Sequence, residues 1–217
     1  MTSSTFSLLV LTLVPVGISH AEIIDTTPAI SFTFTDSTPG DQITILNGPI
    51  ANGFQTTEIN SSLNNSTVEF ANKTNVTVHD IGGGDTITID ISDPAAGLAD
   101  LIVNGGNGAD IFTVTPSTTI PFTINGGGNP QAAPGNVLMV ILSGTTGANL
   151  ADTNTGTGFQ GAWTFTGSQP VNFTGIETLD PSQVVPEPVV LPLVAVGLAG
   201  LFIARIRLNR VNAHSTR

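Results

Sequence analysis

The chain has no Cys and no Tyr, a single Trp, three His, and five basic residues against 16 acids. Each shortage excludes something. Without Cys there are no disulfides, no thiol catalysis and no Cys-type zinc sites. Four of the five bases, Arg205, Arg207, Arg210 and Arg217, stand in the last stretch of the chain. Between Ala21 and Pro186 the only base is Lys73. Affinity for phosphate backbones comes from clustered Lys and Arg, so the body is excluded as a nucleic-acid binder. His20 and His214 lie in the terminal segments, which leaves His79 alone in the body.

What is present divides the chain into three. Phe6 to Val16 reads FSLLVLTLVPV and is followed by Ser19-His20-Ala21. An apolar run of that length before small residues is the pattern of a secretory signal peptide, which places residues 1–21 in a leader cut by signal peptidase near Glu22. The competing reading of the same run is an N-terminal strand. At the other end, Val189 to Ala204 carries no charge and Arg205, Arg207 and Arg210 follow directly. That is a short transmembrane helix over 189–204 with its basic end held in the cytoplasm.

The tail as a whole, Val185-Pro186-Glu187-Pro188, then the apolar span, then the Arg cluster, resembles the PEP-CTERM sorting signal of Gram-negative bacteria. The resemblance covers residues 182–210. It implies an exosortase as partner, passage through the inner membrane, and display at the cell surface after processing. In that family the signal accompanies exopolysaccharide and biofilm matrix. The chain departs from it in Pro192 within the span and in the extension from Val211 to Arg217.

The remaining body, 22–181, is rich in Thr, Gly and Asn and strongly acidic. Apolar residues and Thr alternate in short runs such as Phe32-Thr33-Phe34-Thr35, Ile43-Thr44-Ile45, Ile87-Thr88-Ile89 and Phe112-Thr113-Val114-Thr115. Period two predicts strands with one dry and one wet face. The runs pair about turns ending in Asp41, Asn65, Asp85, Asp110 and Asn136, at spacings in the twenties. Such a period predicts an all-β fold, a short parallel β-helix or β-roll-like solenoid, with a β-sandwich as the alternative. Residues 143–161, SGTTGANLADTNTGTGFQG, read as a loop.

Candidate sites are few. Gly105-Gly106-Asn107-Gly108-Ala109-Asp110-Ile111-Phe112-Thr113 fits one calcium-binding β-roll nonapeptide, and Gly82-Gly83-Gly84-Asp85 is a shortened copy. Asp85 and Asp110 are therefore the candidate metal ligands, with calcium the one cofactor suggested. The pairs Asp80/Asp85 and Asp90/Asp93 are close enough in sequence for glycan-cleaving carboxylates. Lyase chemistry on acidic sugars leans on Arg or Lys, which the body lacks. His79 has only Asp80 beside it, and Trp163 and Phe159 are single aromatics. The expectation is a non-enzyme, an exported structural, adhesive or matrix-associated protein with exopolysaccharide as a possible partner. The alternatives are a calcium- or glycan-binding module and, after it, a glycan-active enzyme.

Overall fold

The computed structural model of the chain describes residues 8–13, 19–24, 29–34, 40–63, 65–80, 82–127 and 134–180. The sorting motif Val185 to Pro188, the apolar span and the Arg cluster lie outside the described residues. The described residues form strands and no helix. In chain order these are β1 (Leu8–Leu13), β2 (Ser19–Ile23), β3 (Ala29–Phe34), β4 (Gln42–Ala51), β5 (Phe54–Ser61), β6 (Ser66–Phe70), β7 (Asn75–Asp80) and β8 (Thr86–Asp90). They continue as β9 (Asp100–Asn104), β10 (Ile111–Thr115), β11 (Phe122–Asn125), β12 (Val137–Val140), β13 (Thr146–Asn154), β14 (Phe159–Thr166), β15 (Val171–Ile176) and β16 (Thr178–Asp180).

These strands build two mixed sheets. Sheet A has the order β1-β3-β7-β9-β11-β15-β14-β13, and sheet B the order β16-β12-β10-β8-β4-β5-β6-β2. Apart from β1–β2, the chain passes from A to B five times, in β3–β4, β7–β8, β9–β10, β11–β12 and β15–β16. We call each such pair a rung. Neighbouring rungs pair in parallel in both sheets.

The alternating sequence explains why the rungs stack in register. Facing positions form columns along each sheet: Ile30, Val76, Leu101, Phe122 and Val171 in sheet A, and Ile43, Ile87, Phe112 and Leu138 in sheet B. All of these are buried. The Thr residues between them, such as Thr44, Thr88 and Thr113, form a column on the outer face. A shift of one residue would turn every one of these columns inside out, which is what fixes the register.

Two expectations need correction. Asn65 does not end a rung. Its positive φ of 44° closes the β5–β6 hairpin, which pairs antiparallel within sheet B, so rung-ending positions jump from Asp41 to Asp85. The regular spacing through Asn65 came from a hairpin about as long as a rung. Residues 143–161 are not a loop: Thr146–Asn154 and Phe159–Thr166 form an antiparallel hairpin extending sheet A. Strands there carry few apolar residues because β13 is an edge strand and largely exposed. In the full-length chain the apolar run of the expected leader has backbone partners. β1 pairs in parallel with β3, and β2 with β6.

The column geometry makes a direct prediction. Ile87 is fully buried, and a carboxylate there has no partner within the apolar column. Ile87→Asp should cost about 4 kcal/mol, a large share of a typical domain's stability. Thr88→Asp, on the outer face, should change stability by less than about 1 kcal/mol. Urea midpoints for the two variants check this, and equal losses would show that the two faces are not distinct.

Candidate functional site

The site grows out of a backbone problem. Each rung must turn from sheet A into sheet B, and each turn stacks on its neighbour at the spacing of a parallel sheet. The amide of the residue just before the sheet B strand points along the stack. A side chain on the next rung accepts it. The Asp85 Oδ1 atom accepts from the amides of Asp41 at 2.7 Å and Gly40 at 3.1 Å. Asp110 Oδ1 accepts from Asp85 N at 3.0 Å, and Asn136 Oδ1 from Asp110 N at 2.9 Å. Glu177 Oε2 completes the series on Asn136 N at 2.6 Å. The first member, Asp41, turns to the hairpin instead. Its carboxylate accepts from Ser62 N, Ser62 Oγ, Leu63 N and Ser61 Oγ.

Glycine is required where this stack is tightest. Gly108 has φ +129°, and a Cβ on it would collide with the Gly83 carbonyl oxygen of the neighbouring turn. A Cβ on Gly127, φ +112°, would collide with the Gly106 carbonyl in the same way. The GGNGAD and GGGD segments are thus selected by backbone contact between turns, which accounts for the nonapeptide-like pattern without an ion.

Asp85 and Asp110 do stand on neighbouring rungs, as the sequence suggested. One oxygen of each is committed to backbone amides. The other oxygens, Asp85 Oδ2 and Asp110 Oδ2, are buried with no hydrogen-bond donor, as is Asp80 Oδ2. Among the described residues no group of three His, Asp or Glu is placed to hold a metal ion. Asp80, the last residue of β7, joins the cluster from the start of the same turn. It is 5% exposed, against 2% for Asp85 and 0% for Asp110.

A proton satisfies what the donors leave open. Burial, the hydrogen bond to Asp85 and then the Asp85 charge push the Asp80 carboxyl up to about 8. Burial pushes Asp110 up to about 7, opposed by the amide of Asp85 and reinforced by the charges of Asp85 and Glu177. A protonated Asp80 donates to Asp85. The equivalent seat one rung beyond Asp110 shows what Asp110 needs. There Asn136 accepts with Oδ1 and donates through Nδ2 to the carbonyls of Gly126, at 2.9 Å, and Gly175, at 3.1 Å. A protonated Asp is the carboxylic counterpart of that amide, an acceptor and a donor on one planar group.

The other candidates disperse. Asp80 and Asp85 meet, but in the interior, where no glycan reaches them. Asp90 and Asp93 are exposed, and Asp93 N donates to Asn47 Oδ1. His79 lies on the outer face of sheet A, its Nδ1 3.0 Å from Asn104 Nδ2, and Asn125 Nδ2 donates to Asn104 Oδ1 at 2.5 Å. Trp163 is buried and Phe159 half-buried, both packed with the core. A shallow depression of about 520 Å³, lined by Asp152, Thr153, Gln160 and Thr174 among others, lies at the far edge of sheet A and contains none of the ladder residues. Sequence reading missed Asp80 and Glu177 as ladder partners. Asp80 carries no turn signature of its own, and Glu177 comes after the β13–β14 hairpin, which interrupts the apparent period. Comparison of the chain with family models, curated proteins and solved structures gives no match.

The ladder predicts an unusual pH dependence. Both Asp80 and Asp110 keep their protons in the folded state well above the 3.8 of a free Asp. A raised carboxyl stabilises the fold fully below the unfolded value and loses that stabilisation as pH climbs to the folded value. Stability should therefore fall from about pH 4 to about pH 8, by about 1.4 kcal/mol per pH unit for each retained proton. Asp110→Asn supplies a permanent donor in that seat. It should raise the urea midpoint at pH 8 and flatten the decline between pH 5 and 8. An unchanged slope would mean that Asp110 is ionised in the folded protein.

Proposed function

We propose that the chain is an exported, surface-displayed structural or adhesive protein, sorted by an exosortase and associated with an extracellular matrix. Its body is a short parallel β-solenoid with two hairpins inserted into the stack. The single observation that carries the reading is the order of the tail: Val185-Pro186-Glu187-Pro188, an uncharged span over Val189 to Ala204, then Arg205, Arg207 and Arg210. Proline lacks a backbone donor and disfavours helix in the residue before it, so the stretch around Pro186 and Pro188 stays extended, as a protease substrate must. Glu187 keeps that stretch out of the hydrocarbon. The arginines hold the span in place until cleavage.

The body supports a structural role in a different way. Rungs that add by repetition give an object whose stability is the sum of neighbour contacts. The acidic outer surface, with Lys73 the only base between Ala21 and Pro186, keeps such an object soluble outside the cell. Intact-mass analysis of protein from the native host tests the sorting. The mature form should begin near Glu22 and lack Leu191 to Arg217. In a host without an exosortase the same gene should yield a membrane-bound chain that keeps Arg217. Arg217 on surface-exposed protein in the native host would reduce the tail to a plain anchor.

A further inference from the structure

The two sheets do not end level. Sheet A runs two strands past the last rung, through β14 and β13, while sheet B stops there at β16. At the other end, sheet B runs two strands past the first rung, through β5 and β6. Beyond these the full-length chain adds one more strand to each sheet, β1 on β3 and β2 on β6. Both come from the expected leader. A cut after Ala21 removes β1 entirely and leaves only Glu22 and Ile23 of β2.

That cut opens a seat. With β1 and β2 in place, Ile30, Phe32, Ile59, Val68 and Phe70 are no more than 1% exposed. Without them the backbone of β3 and β6 has no partner on its outer side, next to an apolar interior. Natural sheets do not leave such edges bare.

The opposite end of the same molecule has the shape to fill it. An antiparallel hairpin reverses direction twice, so β13 runs the same way as β15, and β6 the same way as β4. Within each sheet the two free edges therefore run in the same direction. The offsets also match. If β13 of one copy takes the place of β1 on β3 of the next, the two-strand overhang of sheet A lies opposite β5 and β6. β16 then falls into the place of β2. The inner side of that overhang is mostly apolar, with Trp163 buried and Leu150, Phe159 and Phe165 half-buried against the core, and Asp152 alternates onto the same side near the end of β13. The only charge on β13 is Asp152.

We propose that leader removal uncovers a strand-addition site at which a second copy of this chain docks head to tail, β13 on β3 and β16 on β6, so that the mature body assembles into open-ended filaments. Such a heterologous contact does not close on itself. The leader strands act in the precursor as a cap that delays assembly until export. This rests on the export reading in one respect, the cut near Ala21. An engineered protease site after Ala21 makes the test independent of the native peptidase.

The chain has no Cys, which gives a clean assay. Thr33 lies on the outer face of β3, and Asn149, Ala151 and Thr153 on the outer face of β13. The two strands are six sheet positions apart, roughly 29 Å at 4.8 Å per strand, so a disulfide between them cannot form within one molecule. Full-length chain carrying Thr33→Cys with Asn149→Cys, Ala151→Cys or Thr153→Cys in turn is kept in detergent, cleaved, and oxidised. The expected result is a ladder of disulfide-linked multiples for at least one pairing after cleavage and none before it. Sedimentation of the cysteine-free cleaved chain should show multiples that grow with concentration. A monomer at all concentrations, with circular dichroism showing intact strands, would overturn the proposal. So would dimers from Thr33→Cys alone, which would place β3 against β3. The N-terminus of protein exported by the native host, read by intact mass, reports on the export reading separately.

Discussion

The fold depends on one repeated handover. The amide at the end of each turn is accepted by a side-chain oxygen on the rung beyond it, from Asp41 through Asp85, Asp110 and Asn136 to Glu177. A parallel stack needs this because its turns carry amides that point along the stack, into a neighbour, where water cannot reach them. Short polar side chains at a single position per rung satisfy them all. Glycines then let the turns approach closely enough for the bonds to form, as at Gly108 over Gly83. The apolar columns follow, since a turn held at that spacing brings Ile87 over Ile43 and Phe112 over Ile87. Lose the handover and the register has nothing to set it at the turns.

The same economy creates the electrostatic oddity of the body. An Asp used as an amide acceptor needs only one oxygen, and the second must go somewhere. At Asn136 it is replaced by an amide that donates to two carbonyls. At Asp85 and Asp110 it stays an oxygen, buried among other acids. The only base of the body, Lys73, lies in the connection from sheet B back to sheet A, on the other side of the rungs from this ladder. Neutralisation therefore falls to protons, which Asp80 holds to about pH 8 and Asp110 to about pH 7. An acidic protein would ordinarily be expected to gain from ionised, hydrogen-bonded carboxylates as pH rises. Here burial reverses the sign for Asp80 and Asp110.

Sequence alone disclosed the strand pattern and most of the ladder, and the reason is period two. Ile87 and Thr88 declare their faces without any knowledge of the fold. Asp85, Asp110 and Asn136 declare themselves because each closes a Gly- or Asn-rich turn. Asn65 misled for the same reason: a tight hairpin turn and a rung turn use the same residues, and only the partner strand distinguishes them. β13 was hidden because an edge strand needs no apolar alternation, so TGANLADTN looks like loop. The proton-bearing role of Asp80 was hidden because burial and proximity to Asp85 are properties of the assembled turn.

Both hairpins that interrupt the stack have an even number of strands, and that parity carries a further consequence. An inserted pair restores the original strand direction, so β4 and β6 agree, as do β15 and β13. A single inserted strand would have reversed everything beyond it. The outer faces have meanwhile satisfied much of their own polarity. Asn60 bonds Glu58 and Thr67, and Asn104 bonds His79 and Asn125. Hydrogen-bonding capacity that the body cannot satisfy by itself is thus concentrated at its two ends, where backbone edges of common direction remain. Faces that are self-satisfied repel or ignore a neighbour, whereas open edges select one by strand direction, offset and apolar fit. Under the proposed head-to-tail docking, the partner that meets those three conditions is a second copy of this chain.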